Sequence, residues 1–494
     1  MIGRFFEQHP VFSQRFLEIL PGATTIFIIT LPAWLSFSHP AVVAYLIILF
    51  DIYFLYKAAT FGVYSLVGYR KIKEAAKIDW LARAKTMPGH DELLHVAIIA
   101  VANEPVEVLR RSMACFAAQD FPHRQIIVVL ANENKFEKLA KERSEILQKE
   151  FGKTLTIWET YHELVPGEII GKASNENYAA REVAKRLKKM GVSFKKITVT
   201  SCDSDSLLPP GYFSCLTWTF LNDKNRDYHF YHAPVLLYRN FWEVPMPIRL
   251  QSTLQSVLRV GMLIRPDKLI QVSTYSLSLD MLEKIGFWDA DIVPEDWHLF
   301  LQALFTFGDK VQTVPIFLPI TADSATGKNF WQALRSRYLQ ERRWAWGVTD
   351  VPYAIKKFFT TPNIPVSGKI IRLLRLLEHH VSWPVSFFIL TVSASIPPLV
   401  NPYFKQTVLG QNLPRLSSFI LTISTVFLAL VILVDIKLHP RRPAGFSLWK
   451  TPILILQWLL MPVVSFFLSA VPALDAHARL MIGKRLEYKV TEKT

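Results

Sequence analysis

Long apolar stretches lie at both ends of this 494-residue chain, and the region between them has the residue pattern of a soluble protein. A helix needs about 20 mainly apolar residues to cross the hydrocarbon core of a bilayer. Three runs in the last quarter meet this requirement without a charged side chain: 381–404, 416–434 and 451–474. Three such runs in succession predict a multi-pass membrane protein rather than a soluble protein with buried helices.

The N-terminal apolar region predicts a helical hairpin, with segments 20–37 and 41–67 joined by a turn at 38–40. The second segment contains Asp51, which a rise of 1.5 Å per residue places roughly 15 Å from the turn, near the bilayer midplane. A charged side chain at that depth is costly and is often functional. Asp51 therefore either lines a channel for an acceptor or makes a structural hydrogen bond to a neighbouring helix.

The distribution of basic residues predicts the topology. The chain has 56 Lys and Arg residues against 41 Asp and Glu, a formal net charge of +15, and many of them flank apolar runs. By the positive-inside rule, the central region and the loop 435–450 face the cytosol, and anionic lipids are expected partners. The tail 477–494 is basic too, yet five simple spans would export it, whereas a re-entrant last segment would keep it inside. Both arrangements stay open for this protein, which we expect in the cell membrane.

Other features argue against nucleic-acid binding and indicate a reducing compartment. There is no zinc-ligand spacing, no ribonucleoprotein motif and no basic tail of the kind that binds nucleic acid, so we expect no nucleic-acid partner. The three cysteines, Cys115, Cys202 and Cys215, have no metal-binding spacing and are typical of a reducing compartment.

Between the apolar ends, short apolar strands alternate with helices. The predicted strands are 95–103, 125–132, 154–158 and 196–203, and the predicted helices are 105–119, 136–151 and 175–190. This alternation predicts an α/β domain with a doubly wound, mainly parallel sheet. Such sheets bind ligands at the carboxyl ends of their strands, so the residues there are candidates for a site.

Acidic and amide side chains follow several of these strands. Asn103 and Glu104 end the first strand, Glu133 follows the second, and Asp203 and Asp205 follow the fourth. No glycine-rich phosphate loop is present, and a sheet that holds a diphosphate without such a loop can use a divalent cation instead. Two carboxylates one residue apart suit Mg²⁺ or Mn²⁺, although most Asp-x-Asp pairs are solvated turns.

Two motifs further along the chain carry additional candidates. Glu295 and Asp296 begin a predicted helix, where they either favour the helix dipole or supply a general base for an acceptor hydroxyl. Gln340, Arg343 and Trp344 lie on an aromatic and basic stretch that is typical of an interfacial helix. On such a helix, the guanidinium of Arg343 could also bind a diphosphate with two parallel hydrogen bonds.

Together these segments resemble the family 2 glycosyltransferases, in particular the membrane branch that contains cellulose, chitin and hyaluronan synthases. The motifs follow the family's order over residues 94–360: Asn103–Glu104, Gly-Lys-x-x-Asn at 171–175, Asp-x-Asp at 203–205, Glu295–Asp296 and Gln-x-x-Arg-Trp at 340–344. The resemblance implies an α/β GT-A-like catalytic domain inserted between transmembrane α-helices. It also implies a nucleotide diphosphate sugar as donor and Mg²⁺ or Mn²⁺ as cofactor.

The same resemblance implies a role for each motif. It assigns Asp296 and Glu295 to catalysis, with Asp296 as the base, Asp205 and Asp203 to the metal, and Asn103, Glu104, Glu133, Lys172, Asp203, Gln340, Arg343 and Trp344 to the nucleotide sugar. Two positions depart from the family pattern. Glu133 stands where an aspartate that contacts the base is usual, and the segment 271–282 lacks a common glycine.

These observations predict an inverting transferase that extends a polysaccharide. An enzyme that adds one sugar to a lipid acceptor, whether a glycolipid or a polyprenyl-linked one, is the alternative, because the Gln-x-x-Arg-Trp motif also occurs in lipid glycosylators. A transporter with a degenerate nucleotide-binding domain is a third hypothesis, but the chain shows no internal repeat. The predicted organisation is a hairpin at 1–70, a catalytic domain at 78–327, interface helices at 328–376, transmembrane helices at 377–476 and a basic tail at 477–494.

Overall fold

A computed structural model describes residues 2–362, 364–444 and 451–486 of the chain. The chain divides into two compact units, each described here by itself. The helical unit comprises Met1–Val67, Pro245–Gly261 and Asn329–Leu486, and the sheet unit comprises Gly68–Val244 and Met262–Lys328. The segment Pro245–Gly261 belongs to the helical unit, although it lies inside the range that the sequence assigns to the catalytic domain.

The described residues form helices and strands with the following bounds. The helices are α1 Ile2–Gln8, α2 Pro10–Leu35, α3 Pro40–Ala75, α4 Trp80–Lys85, α5 Val106–Ala117, α6 Glu137–Phe151, α7 Lys172–Lys189, α8 Tyr212–Asn222, α9 Met246–Met262, α10 Leu279–Lys284, α11 Glu295–Phe307, α12 Phe330–Ala345, α13 Asp350–Thr360, α14 Val366–Thr391, α15 Ile396–Val400, α16 Pro402–Lys405, α17 Val408–Leu438, α18 Thr451–Leu456, α19 Met461–Ser465 and α20 Val471–Met481. The strands are β1 Leu94–Val101, β2 Ile126–Glu133, β3 Thr156–His162, β4 Ile197–Asp203, β5 His229–His232, β6 Val235–Leu236, β7 Tyr275–Ser278, β8 Gln312–Pro315 and β9 Ile320–Thr321.

The sheet unit is built on a seven-stranded sheet in the order β3-β2-β1-β4-β7-β5-β8. Strands β3, β2, β1 and β4 are parallel to one another, and β5 is parallel to β8. Strand β7 runs antiparallel to both of its neighbours, β4 and β5. The two short strands β6 and β9 form a separate parallel pair. The mainly parallel α/β sheet expected from the strand–helix alternation is confirmed.

The neighbouring strands β1 and β2 are largely apolar and almost completely buried, as is usual for parallel sheets whose two faces are both covered. Val96, Ile98, Val129 and Val199 are buried in one core cluster that also includes residues of α7, α10 and α11. The carboxyl ends of β1, β2 and β4 therefore lie along one edge of a rigid layer, where the polar residues after each strand can face a ligand.

Among the described residues, the helical unit contains four helices that are long and apolar enough to cross a membrane: Pro10–Leu35, Pro40–Ala75, Val408–Leu438 and the compound helix Thr451–Met481. A fifth span is formed if the bent pair Val366–Thr391 and Ser393–Val400 counts as one. These helices fit a membrane protein. The N-terminal hairpin has the predicted turn, but α2 begins ten residues earlier and α3 ends eight residues later than the apolar runs.

The run 381–404 differs from the single straight span that its composition predicts. Helix α14 ends at Thr391, and the chain bends by 47° before α15. Pro397 and Pro398 occupy the first turn of α15, where proline is tolerated because the amides of a first turn have no partner within the helix. The basic positions Lys450, Lys489 and Lys493 of the predicted loop and tail lie outside the described residues.

Asp51 is fully buried in α3, and its Oδ2 accepts a hydrogen bond of 2.6 Å from the Ser417 hydroxyl on α17. Of the two roles that the sequence leaves open, the structure shows the hydrogen bond between helices. Polar side chains within apolar helices commonly pair across helices in this way, so the bond links α3 to α17.

Candidate active site

The edge of the sheet at the end of β4 carries the Asp-x-Asp pair. Asp203 is the last residue of β4, and Asp205 follows it with its side chain buried. Lys172, the first residue of α7, is buried beside Asp203, with 2.9 Å between its Nζ and Asp203 Oδ1. The structure therefore brings the metal-ligand candidates and the lysine of the Gly-Lys-x-x-Asn segment to one place.

Lys172 joins this pair to the Glu295–Asp296 motif. Its Nζ lies 3.0 Å from Glu295 Oε1 and 3.9 Å from Glu176 Oε1, and it donates a 2.7 Å hydrogen bond to the Ser273 carbonyl. Burial alone would lower the pKa of Lys172, but the carboxylates of Asp203, Glu176 and Glu295 outweigh it and raise that pKa well above its ordinary value. The ammonium thus stays charged and neutralises the acids around it.

Asp296 lies at the start of α11, where it is partly exposed. Its Oδ2 accepts a 3.1 Å hydrogen bond from the Ser273 amide, and its Oδ1 accepts one of 2.8 Å from the Trp297 amide. Burial and the charge of Glu295 raise the pKa of Asp296 to about 7. A carboxylate with that pKa takes up and releases protons near neutral pH, as a general base must.

Glu176 is a buried member of the cluster that the sequence alone does not single out. It is fully buried on α7, and its Oε1 accepts a 2.7 Å hydrogen bond from the Ser201 hydroxyl of β4. Burial is the main cause that raises the pKa of Glu176 to about 8. Its position four residues after Lys172 places both side chains on one face of the helix, which is the signal that could have identified it.

Asp205 is held by the segment that follows β9. Its Oδ2 accepts a 3.0 Å hydrogen bond from the Asp323 amide. The carboxylate of Asp323 is buried and pairs with Arg239, and its Oδ2 lies 3.6 Å from Arg111 Nη2. Burial raises the pKa of Asp323, and the Arg239 hydrogen bond acts against this rise. Asp323 was not among the residues singled out from the sequence.

The candidates at the ends of β1 and β2 have different surroundings. Asn103 is exposed, whereas Glu104 turns back to the end of its own strand, where its carboxylate accepts a 2.7 Å hydrogen bond from the Ala102 amide. The same carboxylate accepts a 3.3 Å hydrogen bond from the hydroxyl of Ser204, which follows β4. The buried Arg143 of α6 donates to the carbonyls of Glu104 and Ala102 at 2.7 and 2.9 Å. Glu133 is partly exposed, and burial followed by the charge of Glu104 raises its pKa.

Comparison with known proteins identifies the family. The sequence matches the model of glycosyl transferase family group 2 over residues 198–473, more than half of the chain. This protein belongs to glycosyl transferase family group 2. It is therefore a glycosyltransferase that uses a nucleotide sugar. The membrane-bound, GT-A-like α/β architecture expected from the sequence is confirmed. No curated protein matches the sequence.

Two solved structures are among those to which this chain is similar. The mannosyltransferase PcManGT from Pyrobaculum calidifontis, in complex with GDP-Man and Mn²⁺, has a TM-score of 0.42 and 14% identity, covering 89% of this chain and 100% of that chain. TarS 1–349 from S. aureus, in complex with UDP-GlcNAc, has a TM-score of 0.36 and 12% identity, covering 80% of this chain and 94% of that chain.

The Gln-x-x-Arg-Trp motif of this glycosyltransferase lies in the helical unit, on α12. The fully buried Arg337 donates a 2.7 Å hydrogen bond to Gln340 Oε1 and forms an ion pair of 2.5 Å with the equally buried Glu341. The ring of Trp344 has two guanidinium groups near it, that of Arg337 at 4.9 Å and that of Arg259 at 5.5 Å. These contacts hold Gln340 and Trp344 in fixed orientations.

The donor atoms at the Asp-x-Asp pair fit the divalent cation that the family implies. Asp203 and Asp205 offer only oxygen atoms, which Mg²⁺ and Mn²⁺ prefer. Among the described residues, no group of three or more His, Cys, Asp or Glu side chains is arranged to hold a metal ion. One or two carboxylates together with the phosphates of a substrate are nevertheless a common set for Mg²⁺.

Proposed function

We propose that this membrane glycosyltransferase is an inverting enzyme that extends a polysaccharide from a nucleotide diphosphate sugar at the cytosolic face of the cell membrane. The observation that supports it is the convergence of Asp203, Lys172 and Asp296 on the Ser273 backbone and side chain, with Glu295 paired to Lys172. One carboxylate in this cluster, that of Asp296, has a pKa near neutrality and is partly exposed.

In the proposed reaction, Asp296 takes the proton of an acceptor hydroxyl. The acceptor oxygen attacks the anomeric carbon while the bond from that carbon to the diphosphate oxygen breaks, and the electron pair leaves with the diphosphate. A single displacement inverts the anomeric centre. Burial and the charge of Glu295, which pairs with Lys172, raise the pKa of Asp296 towards the neutral pH at which a base must act.

Mg²⁺ or Mn²⁺ held by Asp205 and Asp203 would supply positive charge opposite the leaving diphosphate. Asn103, Glu104 and Glu133, at the ends of β1 and β2, are proposed to lie near the nucleotide. Arg343, with Gln340 and Trp344, is proposed to bind the diphosphate; these three belong to the helical unit, and their role in the site remains a proposal.

Two substitutions test the function. The variant Asp296→Asn removes the base and should abolish transfer while binding of the nucleotide sugar persists, because an amide keeps the shape of the side chain. The matched control is Asp291→Asn, an exposed aspartate five residues earlier in the chain. Both are assayed as full-length protein in detergent with a panel of nucleotide sugars, following release of the nucleotide diphosphate. Equal turnover in the two variants contradicts the assignment.

The length of the product separates the two acceptor classes. A polysaccharide synthase yields chains that grow with time, whereas an enzyme for a lipid acceptor adds one sugar to an extractable lipid. The anomeric configuration of the product, compared with that of the donor, tests inversion in the same experiment. Retention of configuration would contradict a single displacement from the face opposite the leaving group.

A further inference from the structure

Ser273 occupies the centre of the acidic cluster, just before β7. Strands β4 and β7 are antiparallel with Ser201 opposite Tyr275. Continuing this register by two residues places Ser273 opposite Asp203. The single antiparallel strand beside β4 thus brings a residue from a segment 70 positions away onto the end of the Asp-x-Asp strand.

Each polar group of Ser273 contacts a different candidate residue. Its hydroxyl donates a short hydrogen bond to Asp203 Oδ2. Its carbonyl accepts the 2.7 Å bond from Lys172, and its amide donates the 3.1 Å bond to Asp296 Oδ2. One residue therefore connects the carboxylate on the metal side of the cluster with the carboxylate proposed as base.

The backbone of Ser273 is in the left-handed region, with φ at 61°. A residue with a Cβ pays roughly 1 kcal/mol or more for this conformation, so the surrounding contacts must hold it there. The neighbouring residues provide such contacts. Gln271 donates a 3.0 Å bond to the Asp296 carbonyl, and the Thr274 hydroxyl lies 2.7 Å from that of Ser206.

We propose that Ser273 is a positioning residue that fixes Asp203 relative to Asp296, and thereby the distance between the acceptor's base and the donor's diphosphate. This inference rests on the proposed function. A serine is suited to the task because, in this one conformation, its hydroxyl binds Asp203 while its amide binds Asp296. The strain at Ser273 and the two hydrogen bonds are consequences of the same conformation.

Three substitutions separate the hydroxyl from the backbone strain. Ser273→Ala removes the hydroxyl and keeps the strain, and Ser273→Gly removes both. Ser273→Thr keeps the hydroxyl but adds a β-branch, which is unfavourable at positive φ. Each variant is purified as full-length protein in detergent, and its kcat, its donor KM and its thermal stability are measured on the same preparation.

If Ser273 is a positioning residue, the kcat of its variants should not follow their thermal stability. Ser273→Ala and Ser273→Gly should both lose kcat by roughly 10- to 100-fold, the usual effect of removing an orienting partner, with a small change in donor KM. Ser273→Gly should nevertheless melt above Ser273→Ala, because glycine adopts positive φ without strain. Ser273→Thr should be less stable than the wild type and yet retain more activity than Ser273→Gly.

Two results overturn the proposal. One is a Ser273→Gly variant with the kcat of the wild type, since the hydroxyl would then be dispensable. The other is a series in which kcat simply follows thermal stability, since Ser273 would then have only a structural role. Both leave the proposed function intact, whereas a wild-type protein that transfers no sugar from any donor refutes that function and this role with it.

Discussion

Replacement of Lys172 by methionine removes the only cation within 4 Å that the described contacts give to the buried pair Glu295 and Glu176. The methionine side chain has a similar length and fills much of the same space, so packing changes little. The change therefore isolates the charge. We expect a large loss of stability in the sheet unit, because buried carboxylates remain without their partner.

The size of this loss follows from the geometry. With an effective dielectric constant of about 20, each ion contact near 3 Å provides about 5 to 6 kcal/mol of attraction. Lys172 makes two such contacts, at 2.9 Å to Asp203 and 3.0 Å to Glu295. The desolvation of the buried ions offsets several kcal/mol per ion, and breaking a buried pair from one side typically costs about 3 to 5 kcal/mol.

The loss should depend on pH in a defined direction. The raised pKa of Lys172 keeps this group charged up to alkaline pH, so its own titration does not contribute between acidic and neutral pH. Glu176, whose folded pKa is raised to about 8, adds stability at low pH that disappears as the pH rises through that value. Without Lys172, the neighbouring acids bind protons more tightly, and protonated acids need no cation. The deficit of Lys172→Met should therefore shrink as the pH falls.

Thermal unfolding in detergent at a fixed scan rate measures the effect. For a domain of this size, roughly 2 to 4 °C per kcal/mol gives an expected drop of about 6 to 20 °C at pH 8. Lys185→Met on the same helix is the control, since Lys185 is exposed and pairs with Glu182 at the surface. Equal shifts in the two variants, or a Lys172→Met deficit that grows at low pH, would refute the reasoning.

Three further predictions concern the base, α12 and the nucleotide. Since Asp296 acts as a base only when ionised, kcat/KM should rise with pH around its pKa of about 7, and Glu295→Gln should move this midpoint to lower pH because a like charge is removed. Arg337→Met should lower the free energy of unfolding by about 3 to 5 kcal/mol, because it leaves Glu341 buried without its cation. A second change, Glu341→Leu, should restore most of this loss, and equal melting temperatures of the single and double variants would contradict the prediction. Glu133→Gln should raise the donor KM by roughly tenfold, the usual effect of losing a charged hydrogen-bond partner, with kcat nearly constant; an unchanged KM for every donor would place Glu133 outside the nucleotide site.

The parallel half of the sheet could be predicted from the sequence with small errors at its ends. The strand predicted at 196–203 corresponds to Ile197–Asp203, and the helix predicted at 136–151 corresponds to Glu137–Phe151. The strand is buried along nearly its whole length, and the charged helix buries one side through Ala140, Ser144 and Leu147, so local patterns identify both without knowledge of the rest of the chain. Strands of four residues or fewer, such as β7, provide too short a pattern.

The short strand β7 also explains why Ser273 was not predicted. Its register with β4 depends on pairing between residues about 70 positions apart, which no local pattern in the sequence reveals. The segment 271–282 was noted only because it lacks a glycine that the family commonly has. In the structure, Ser273 adopts the positive φ that glycine would allow, and it adds a hydroxyl that glycine does not have.

The acidic motifs illustrate a second limit of prediction from the sequence. Asp203, Glu295 and Asp296 were recognised as carboxylates after a strand and at a helix start, but the fold also brings the buried ammonium of Lys172 into contact with Asp203 and Glu295. Burial and the charge of Glu295 raise the pKa of Asp296, and the charge of Lys172 acts against this rise. The identity of a base can thus be suggested by a motif, whereas its pKa is a property of the folded cluster, and a substitution at Lys172 should change the pH profile of Asp296 without touching it.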